Sequence, residues 1–205
     1  MSTRPNHSLE PAYFERVYAR DVDPWGFASS EYECAKYADT LAALPRRTYR
    51  RGLEVGCSIG VLTLRLAERC GTLDALDVHE GALAEARRRA ASARHVHFHR
   101  MMFPREAPVG SYDLIVVSEV AYYWGGGEFD AARELITARL EVGGHLVLVH
   151  YTPEATDYPL TGDEVHERFL TAPGLRHLRG HRADRYRLDV FERAGERADG
   201  GGEGQ

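Results

Sequence analysis

The residues best placed to do chemistry are one acid and three small residues at alternate positions, Glu54-x-Gly56-x-Ser58-x-Gly60. An apolar run precedes them and a helical pattern follows, which predicts a strand, a turn and a helix. Glycine lets the backbone bend sharply and lets a ligand lie against it. Free N–H groups at the helix start would bind a polar or anionic group. The stretch is typical of a nucleotide-cofactor turn in a doubly wound sheet, although an ordinary strand-to-helix connection is the alternative.

The spacing of this turn differs from two common nucleotide-binding motifs. The dinucleotide fingerprint, G-x-G-x-x-G, requires glycine at the positions that Ser58 and Val61 occupy. The phosphate-loop pattern, G-x-x-x-x-G-K-S/T, does not occur in the chain. The turn resembles instead the first motif of class I methyltransferases that use S-adenosylmethionine (SAM), acid-x-Gly-x-Gly-x-Gly, with Ser58 at the middle glycine. SAM has no phosphate, a zwitterionic amino-acid end and a sulfonium cation, so a carboxylate and backbone donors suit it.

A second acid ends the next predicted strand. Asp77 lies near the end of the run Thr72–Val78 and follows Gly56 by about 20 residues. This is the spacing of an acid that accepts hydrogen bonds from a ribose diol. Sites for NAD share this feature, and an acid at this place could also be a helix N-cap. Met101 and Met102 follow the third strand, where their thioethers could pack against an aromatic ring.

The end of the most apolar strand carries candidate groups for a second ligand. Residues 111–119 are apolar on both faces, as expected of a central parallel strand, and end in Ser118 and Glu119. Tyr122 and Tyr123 follow directly. Since ligands bind beyond the carboxyl ends of such strands, Glu119 is interpreted as a site residue, with a helix-cap acid as the alternative.

His150 ends the following strand, and we expect it to face the same crevice. There it could act as a general base, although a lone histidine is more often a hydrogen-bonded structural group. Three more histidines alternate along His95–His99, a pattern that could hold a metal. No acid or cysteine lies nearby in the sequence, so we predict the outer face of an edge strand and no metal site.

The predicted elements divide the chain into three parts. Residues 1–50 form an N-terminal helical cap, which we expect to act as a lid over the pocket, with Tyr13 and Trp25 closing it. The alternative is that the aromatic residues of the cap only pack on the sheet. Residues 51–193 form the cofactor-binding domain and end in two antiparallel strands. The Gly-rich residues 194–205 are predicted to be disordered.

Composition bounds the class of protein. The chain has 205 residues, enough for one domain with a sizeable core, and is 43% hydrophobic and 28% charged. The net charge of -5 argues against a nucleic-acid platform. Three cysteines without metal-type spacing indicate reduced thiols in the cytoplasm. The first residues lack the apolar core of a signal peptide, and no apolar run is long enough to cross a membrane.

From about Tyr13 to Phe191 the chain resembles the NodS (nodulation protein S) group of class I methyltransferases. The first motif is specific for the superfamily, and the flanking stretches point to the group. The stretches that carry the resemblance are Asp23–Phe27, Leu53–Gly60, Tyr112–Glu119 with Tyr122-Tyr123, and Tyr158–Glu164. The resemblance implies a doubly wound, seven-stranded, mostly parallel sheet whose last strand is antiparallel. It also implies SAM-dependent N-methylation, in this group on the free amine of a deacetylated chito-oligosaccharide, a sugar that members outside nodulation need not share.

The resemblance further implies a site and its ligands. The residues that would hold SAM and its product S-adenosyl-L-homocysteine (SAH) are Tyr13, Trp25, Glu54, Gly56, Cys57, Ser58, Gly60, Asp77, Val78, Met101, Met102 and Ser118. An acid that often holds the adenine near Met101 is missing here. Groups that could take the acceptor's proton or orient the amine are Glu119, His150, Tyr122, Tyr123 and Tyr158. The acceptor would be a small-molecule amine or amino sugar, with no nucleic-acid or membrane partner, and the protein a monomer or homodimer.

Three alternatives stay open. An O- or C-methyltransferase would share every cofactor residue. A dehydrogenase or epimerase with a bound dinucleotide would need a different glycine spacing, and the chain contains no Tyr-x-x-x-Lys pair. A SAM-binding partner subunit without catalysis is the third, and Glu119 and His150 argue weakly against it.

Overall fold

The computed structural model describes residues 4–195, which form one seven-stranded sheet with helices on both faces. The strands are β1 (Tyr49–Val55), β2 (Cys70–Asp77), β3 (Val96–Arg100), β4 (Tyr112–Ser118), β5 (Leu140–Tyr151), β6 (Leu175–Arg182) and β7 (Tyr186–Arg193). The helices are α1 (Pro11–Tyr18), α2 (Glu31–Ala42), α3 (Val61–Ala67), α4 (Glu80–Arg89), α5 (Gly126–Arg139) and α6 (Gly162–Leu170), with a 3-10 turn at Ala121–Tyr123. None of the described helices is long and apolar enough to cross a membrane.

The predicted doubly wound sheet is confirmed. Its strand order is β3-β2-β1-β4-β5-β7-β6. Neighbouring strands pair in parallel except β7, which runs antiparallel to both β5 and β6. The chain crosses from β3 at one edge to β4 beside β1, so the strand order reverses between β1 and β4. Ligands of open α/β sheets bind at such a switch point, beyond the carboxyl ends of the strands.

The central strand β4 divides the core into two layers. Every residue of β4 is buried, as its unbroken apolar run predicted. Because side chains alternate along a strand, Ile115 and Val117 pack towards α5 and α6, whereas Leu114 and Val116 pack towards α2 and α3. The sheet is thus covered on both sides, and its accessible edge for a ligand is the line of strand ends.

Local sequence rules succeed at one helix start and half succeed at another. Thr161 and Glu164 form the complete capping box that S/T-x-x-E predicts for α6. At α2 the same pattern predicts a box from Ser30 and Glu33, and the Ser30 hydroxyl does accept the Glu33 N–H. The Glu33 carboxylate, however, turns away to Lys36. A tertiary partner therefore outcompetes the local cap at that carboxylate.

The remaining sequence predictions concern the edge of the sheet and the C-terminal part of the chain. The predicted edge strand is confirmed: β3 ends the sheet, Val96 is buried and His97 is exposed. The two predicted antiparallel strands at the end of the domain are β6 and β7. The predicted disordered segment 194–205 lies outside the described residues, apart from Ala194 and Gly195.

A substitution at Gly60 can test how tightly α4 packs against the turn between β1 and α3. Gly60 has φ +79°, and a Cβ there would lie 2.9 Å from the Ala86 Cβ on α4. We expect Gly60→Ala to lower the free energy of unfolding by roughly 2–4 kcal/mol, because it adds backbone strain to a steric clash. Gly127→Ala is the control, since nothing lies within 4 Å of its Cβ, and it should be neutral or stabilising by up to about 1 kcal/mol. Equal effects in urea denaturation would contradict this assignment.

Candidate active site

A cavity of about 430 Å³ lies beyond the carboxyl ends of β1, β2 and β4. That volume is in the range of small-molecule and cofactor sites. The predicted site residues that line it are Trp25, Glu54, Gly56, Cys57, Ser58, Asp77, Val78, Met101, Met102, Ser118, Glu119, Tyr122, Tyr123 and Tyr158. Gly60, Tyr13 and His150 do not line it. Most of the predicted set therefore comes together around one space.

The glycine-rich turn wraps one end of this cavity in left-handed backbone. Gly56, Ser58 and Gly60 have φ angles of 83°, 47° and 79°. Ser58 is the costly member, because a residue with a Cβ is strained at positive φ. Its hydroxyl lies 2.6 Å from the Tyr18 hydroxyl of α1, in a buried hydrogen bond. The serine that departs from the glycine pattern thus anchors the N-terminal segment to the turn.

Asp77 fixes the shape of the same turn. Its Oδ2 accepts the Ser58 N–H at 2.8 Å and its Oδ1 accepts the His79 N–H at 2.9 Å. A carboxylate has about four lone-pair positions, so each oxygen can accept a further hydrogen bond from a ligand in the cavity. Asp77 therefore holds the protein backbone and still offers two acceptors to a diol.

Glu54 is the cavity residue whose environment demands a ligand. It is 1% exposed, and its Oε2 has no aligned hydrogen-bond partner in residues 4–195, although the Thr63 hydroxyl lies close enough to oppose part of the effect of burial on its pKa. Burial raises the pKa of its carboxyl to about 7. A buried polar atom without a partner is costly, and a ligand that donates a hydrogen bond or brings a positive charge would remove that cost.

The opposite end of the cavity holds a buried charge cluster that sequence reasoning missed. Lys36, 1% exposed, points its ammonium between the carboxylates of Glu33 and Glu119. Glu119 also accepts hydrogen bonds from the Tyr122 hydroxyl at 2.7 Å and the Tyr151 N–H at 2.8 Å. The Glu119 backbone is itself left-handed, with φ 56°. Lys36 and Glu119 are 83 residues apart, so no local pattern could have paired them.

Tyrosine rings close the wall beside this cluster. Tyr122 and Tyr158 stack at 5.1 Å, and Tyr123 meets Tyr158 edge-on at 4.8 Å. Burial raises the pKa of Tyr122 and Tyr123 well above the ordinary tyrosine value. Their phenols stay protonated at neutral pH, and the Tyr122 proton is already donated to Glu119. These tyrosines can shape a site and bind a cation on their faces, but they are poor proton acceptors.

The prediction that His150 faces the crevice is wrong. Its side chain is fully buried on the other side of β5, with Leu146 and Leu148, because strand alternation directs it towards α6. Its Nε2 accepts the Ala121 N–H, so its Nδ1 carries the proton and donates to His166, which in turn donates to Asp189. Burial lowers the pKa of His150 well below its ordinary value. The histidine supports the 3-10 turn from below and does not reach the cavity.

The prediction that Tyr13 closes the pocket is also wrong, and two other residues of α1 line the cavity in its place. Tyr13 lies outside the cavity, where its hydroxyl contacts Asp157 at 3.3 Å. Phe14 and Tyr18 line the cavity instead. Tyr18 stacks on the His79 ring at 4.4 Å and packs against Trp25. Aromatic residues at helical spacing indicated a buried face of α1, but not which residues would form it.

Sequence comparison shows that the chain is similar to proteins named nodulation protein S. The sequence pattern of the family Nodulation protein S (NodS) matches residues 13–149. A nodulation protein S from Rhizobium tropici is 33% identical over 149 residues, which are 72% of this chain and 60% of that protein. Matches of this kind cover 57 to 60% of the nodulation proteins S concerned. The chain thus spans about three fifths of the length of these relatives.

Solved structures give the same placement. The N-methyltransferase NodS from Bradyrhizobium japonicum, in complex with SAH, superposes with a TM-score of 0.79 at 25% identity, covering 90% of this chain and 98% of that chain. A putative methyltransferase from Pseudomonas syringae superposes with a TM-score of 0.70 at 34% identity, covering 80% of this chain and all of that chain. Their folds therefore correspond to this one over nearly their whole lengths.

The hydrogen bond between Ser58 and Tyr18 can be separated from the strain at Ser58. We expect Ser58→Ala to lower the free energy of unfolding by about 1 kcal/mol, because it loses the bond and keeps the Cβ at positive φ. Ser58→Gly loses the same bond but relieves the strain, so its stability should stay close to that of the wild type. Tyr18→Phe should lower the free energy of unfolding by about as much as Ser58→Ala does. The double variant Ser58→Ala/Tyr18→Phe should lower it by less than the sum of the two single variants, because both remove the same hydrogen bond. Equal stabilities of the alanine and glycine variants in urea denaturation would rule out strain at Ser58.

Proposed function

This chain belongs to the NodS (nodulation protein S) family and has the Rossmann-like fold of class I methyltransferases, and from that premise we propose that it is a SAM-dependent N-methyltransferase. Its acceptor would be the amine of a small molecule or an amino sugar. The observation that carries the proposal is the unpartnered Glu54 oxygen beside the left-handed turn at the end of β1.

The residues present fit the proposed cofactor. SAM has an ammonium at its amino-acid end, and the Glu54 carboxylate would pair with it beside Gly56 and Ser58. Asp77 would accept hydrogen bonds from the ribose hydroxyls with its two remaining lone pairs. Met101 and Met102 line the cavity after β3 and would pack on the adenine ring.

When bound, SAM supplies an electrophilic methyl group on a sulfonium. The protein's task is to orient the acceptor in line with that methyl group and to keep water out. Tyr122, Tyr123 and Tyr158 would form the wall that orients the acceptor, and Trp25 with Phe27 would cover the cofactor side. Residues 1–50 would act as the lid, since α1 and α2 both contribute cavity-lining side chains.

The alternatives are supported less well. An O- or C-methyltransferase would use the same cofactor residues, but the solved family member is described as an N-methyltransferase, and Glu33 and Glu119 at the acceptor end favour a cationic acceptor. A subunit that binds SAM without catalysis would not need this buried polar end. The glycine spacing gives no support to a dinucleotide enzyme.

We propose the following setting for the enzyme. The three cysteines, Cys34, Cys57 and Cys70, are free thiols, which supports the cytoplasm as the location. The net charge of -5 supports a small-molecule partner over a nucleic acid. The protein would work as a monomer or homodimer.

Binding of SAH should depend on pH through Glu54. Burial raises the pKa of Glu54 to about 7, so below that pH the carboxyl must lose its proton before it can pair with the ligand's ammonium. We expect the dissociation constant for SAH, measured by calorimetry, to fall about tenfold from pH 6 to pH 8. Glu54→Gln should bind more weakly and without this pH dependence, whereas Glu68→Gln, an exposed control at the end of α3, should match the wild type. A folded wild type that binds no SAH at millimolar ligand would contradict the proposed cofactor.

Asp77 gives a second test of the cofactor site. Asp77→Ala should weaken SAH binding by roughly 1–3 kcal/mol, because charge-assisted hydrogen bonds to the ribose are lost. The variant also loses its bonds to Ser58 and His79, so its thermal unfolding must be measured beside its affinity. Unchanged affinity in a folded Asp77→Ala variant would remove Asp77 from the site.

A further inference from the structure

The acceptor end of the cavity holds two carboxylates and one ammonium, and the two carboxylates are not equivalent. Glu119 is the more fully paired carboxylate, because it accepts three hydrogen bonds, from Lys36, the Tyr122 hydroxyl and the Tyr151 N–H. Both oxygens of Glu33 lie 2.9 Å from the Lys36 ammonium, but only Oε1 is aligned to accept a hydrogen bond from it. Oε2 of Glu33 has no aligned hydrogen-bond donor within residues 4–195, although the Tyr37 hydroxyl on the same helix lies close enough to lower the pKa of Glu33.

A second unpaired group lies next to it in the chain. The Tyr32 hydroxyl is buried and makes no hydrogen bond to the described part of the protein. Tyr32 and Glu33 both line the cavity, as Glu54 does at the other end. The cavity therefore has unpaired polar atoms at two places, of which Glu54 is assigned to the cofactor. The other place, at Tyr32 and Glu33, calls for a second ligand with hydrogen-bond donors.

The charge of the cluster specifies that ligand further. Glu33, Lys36 and Glu119 are buried together, and their formal charges sum to one negative charge. The cation Arg185 also lines the cavity, but it is exposed to solvent and lies over the Tyr32 ring rather than within the buried cluster. A monocation that entered beside Glu33 would neutralise the charge of the cluster, whereas an anion would be repelled. A buried charge without compensation is unfavourable, so the cluster suits an ammonium and rejects an acid.

We infer that Glu33 receives the ammonium of the methyl acceptor and takes its proton, with the Tyr32 hydroxyl as a second contact and Lys36 holding Glu119 out of that role. The inference rests on the proposed function. One N–H bond of the acceptor breaks and an O–H bond forms on Glu33 Oε2, which leaves a lone pair on nitrogen. That lone pair then forms the N–CH₃ bond, and the electrons of the broken S–CH₃ bond stay on sulfur. The product is a methylated ammonium, with the first proton on Glu33 until solvent removes it.

Burial of Glu33 supports its role as the proton acceptor. It raises the pKa of the Glu33 carboxyl above its ordinary value, against the opposing effect of Lys36. A carboxylate that resists ionisation is a better proton acceptor once it is ionised. The same environment destabilises the folded protein in the absence of ligand, and this destabilisation grows as pH rises above about 4.5, the ordinary value for glutamate.

The first experiment needs no acceptor. Thermal unfolding of Glu33→Gln, Glu119→Gln and the exposed control Glu31→Gln is compared with the wild type at pH 5 and pH 8. We expect Glu33→Gln to raise the melting temperature by about 2–4 °C at pH 8 and by less at pH 5, because it removes the net negative charge of the cluster. Glu119→Gln should lower it and Glu31→Gln should leave it unchanged. A Glu33→Gln variant that loses stability at pH 8 as Glu119→Gln does would make Glu33 a structural partner of Lys36 and overturn the inference.

The second experiment measures methyl transfer from SAM to glucosamine, ethanolamine, benzylamine and cyclohexylamine between pH 6 and pH 9. For every amine that the wild type methylates, Glu33→Gln should lower kcat about 100-fold or more, and rates should no longer fall towards low pH through an enzyme group. Glu31→Gln should behave as the wild type. Retention of kcat and of the pH profile in Glu33→Gln would overturn the inference, and if no amine is methylated the stability result decides.

Failure of this inference can be told apart from failure of the proposed function. Calorimetric titration with SAH is run on the same variants. Glu33→Gln should bind SAH within about twofold of the wild type, because Glu33 lies at the acceptor end. A wild type that binds no SAH removes the proposed function, whereas normal SAH binding with an unaltered Glu33→Gln profile removes only the role of Glu33.

Discussion

The buried ammonium of Lys36 is the contact on which the architecture of the site depends. It belongs to α2, and one of its partners, Glu119, follows the central strand β4. Burial alone would lower the pKa of Lys36, but the two carboxylates raise it above its ordinary value, so the residue stays charged. Removal of one partner from a buried pair commonly costs roughly 3–5 kcal/mol, a cost that we assign to Glu119, because its carboxylate also holds Tyr122 and the Tyr151 N–H. The Lys36 side chain thus joins the N-terminal segment to the sheet and fixes the position of Glu119 at the acceptor end of the cavity.

A second buried network holds the same region from the opposite side of the sheet. Asp189 on β7 orients His166, which orients His150, and His150 accepts the Ala121 N–H of the 3-10 turn. The backbone donor at one end and the carboxylate at the other determine which nitrogen of each ring carries the proton. The turn that carries Tyr122 is therefore held by hydrogen bonds on both faces of the sheet, to Glu119 on one face and to His150 on the other. Such buried networks can fix the position of a loop side chain.

The parts of the site that the sequence predicts are those with local rules. The glycine turn and Asp77 follow from fixed spacing around a strand, and the fold follows from the order of strand and helix patterns. His150 shows the limit: alternation predicts which residues share its face, but not that α6 covers that face. Lys36 and Glu33 were missed for a related reason, because only the folded chain brings Glu119 to them. Helical spacing on α1 likewise leaves the choice between Tyr13 and Tyr18 to packing.

Ser58 links two distant positions of the chain through one hydroxyl. Its backbone conformation restricts the position to glycine or a small polar residue, and its bond to Tyr18 spans 40 residues. In a relative with glycine at position 58, a tyrosine at position 18 would have no hydroxyl to bind, and phenylalanine would serve as well there. The two positions are thus coupled energetically, so that the side chain favoured at position 18 of the N-terminal segment depends on the residue at position 58 of the turn.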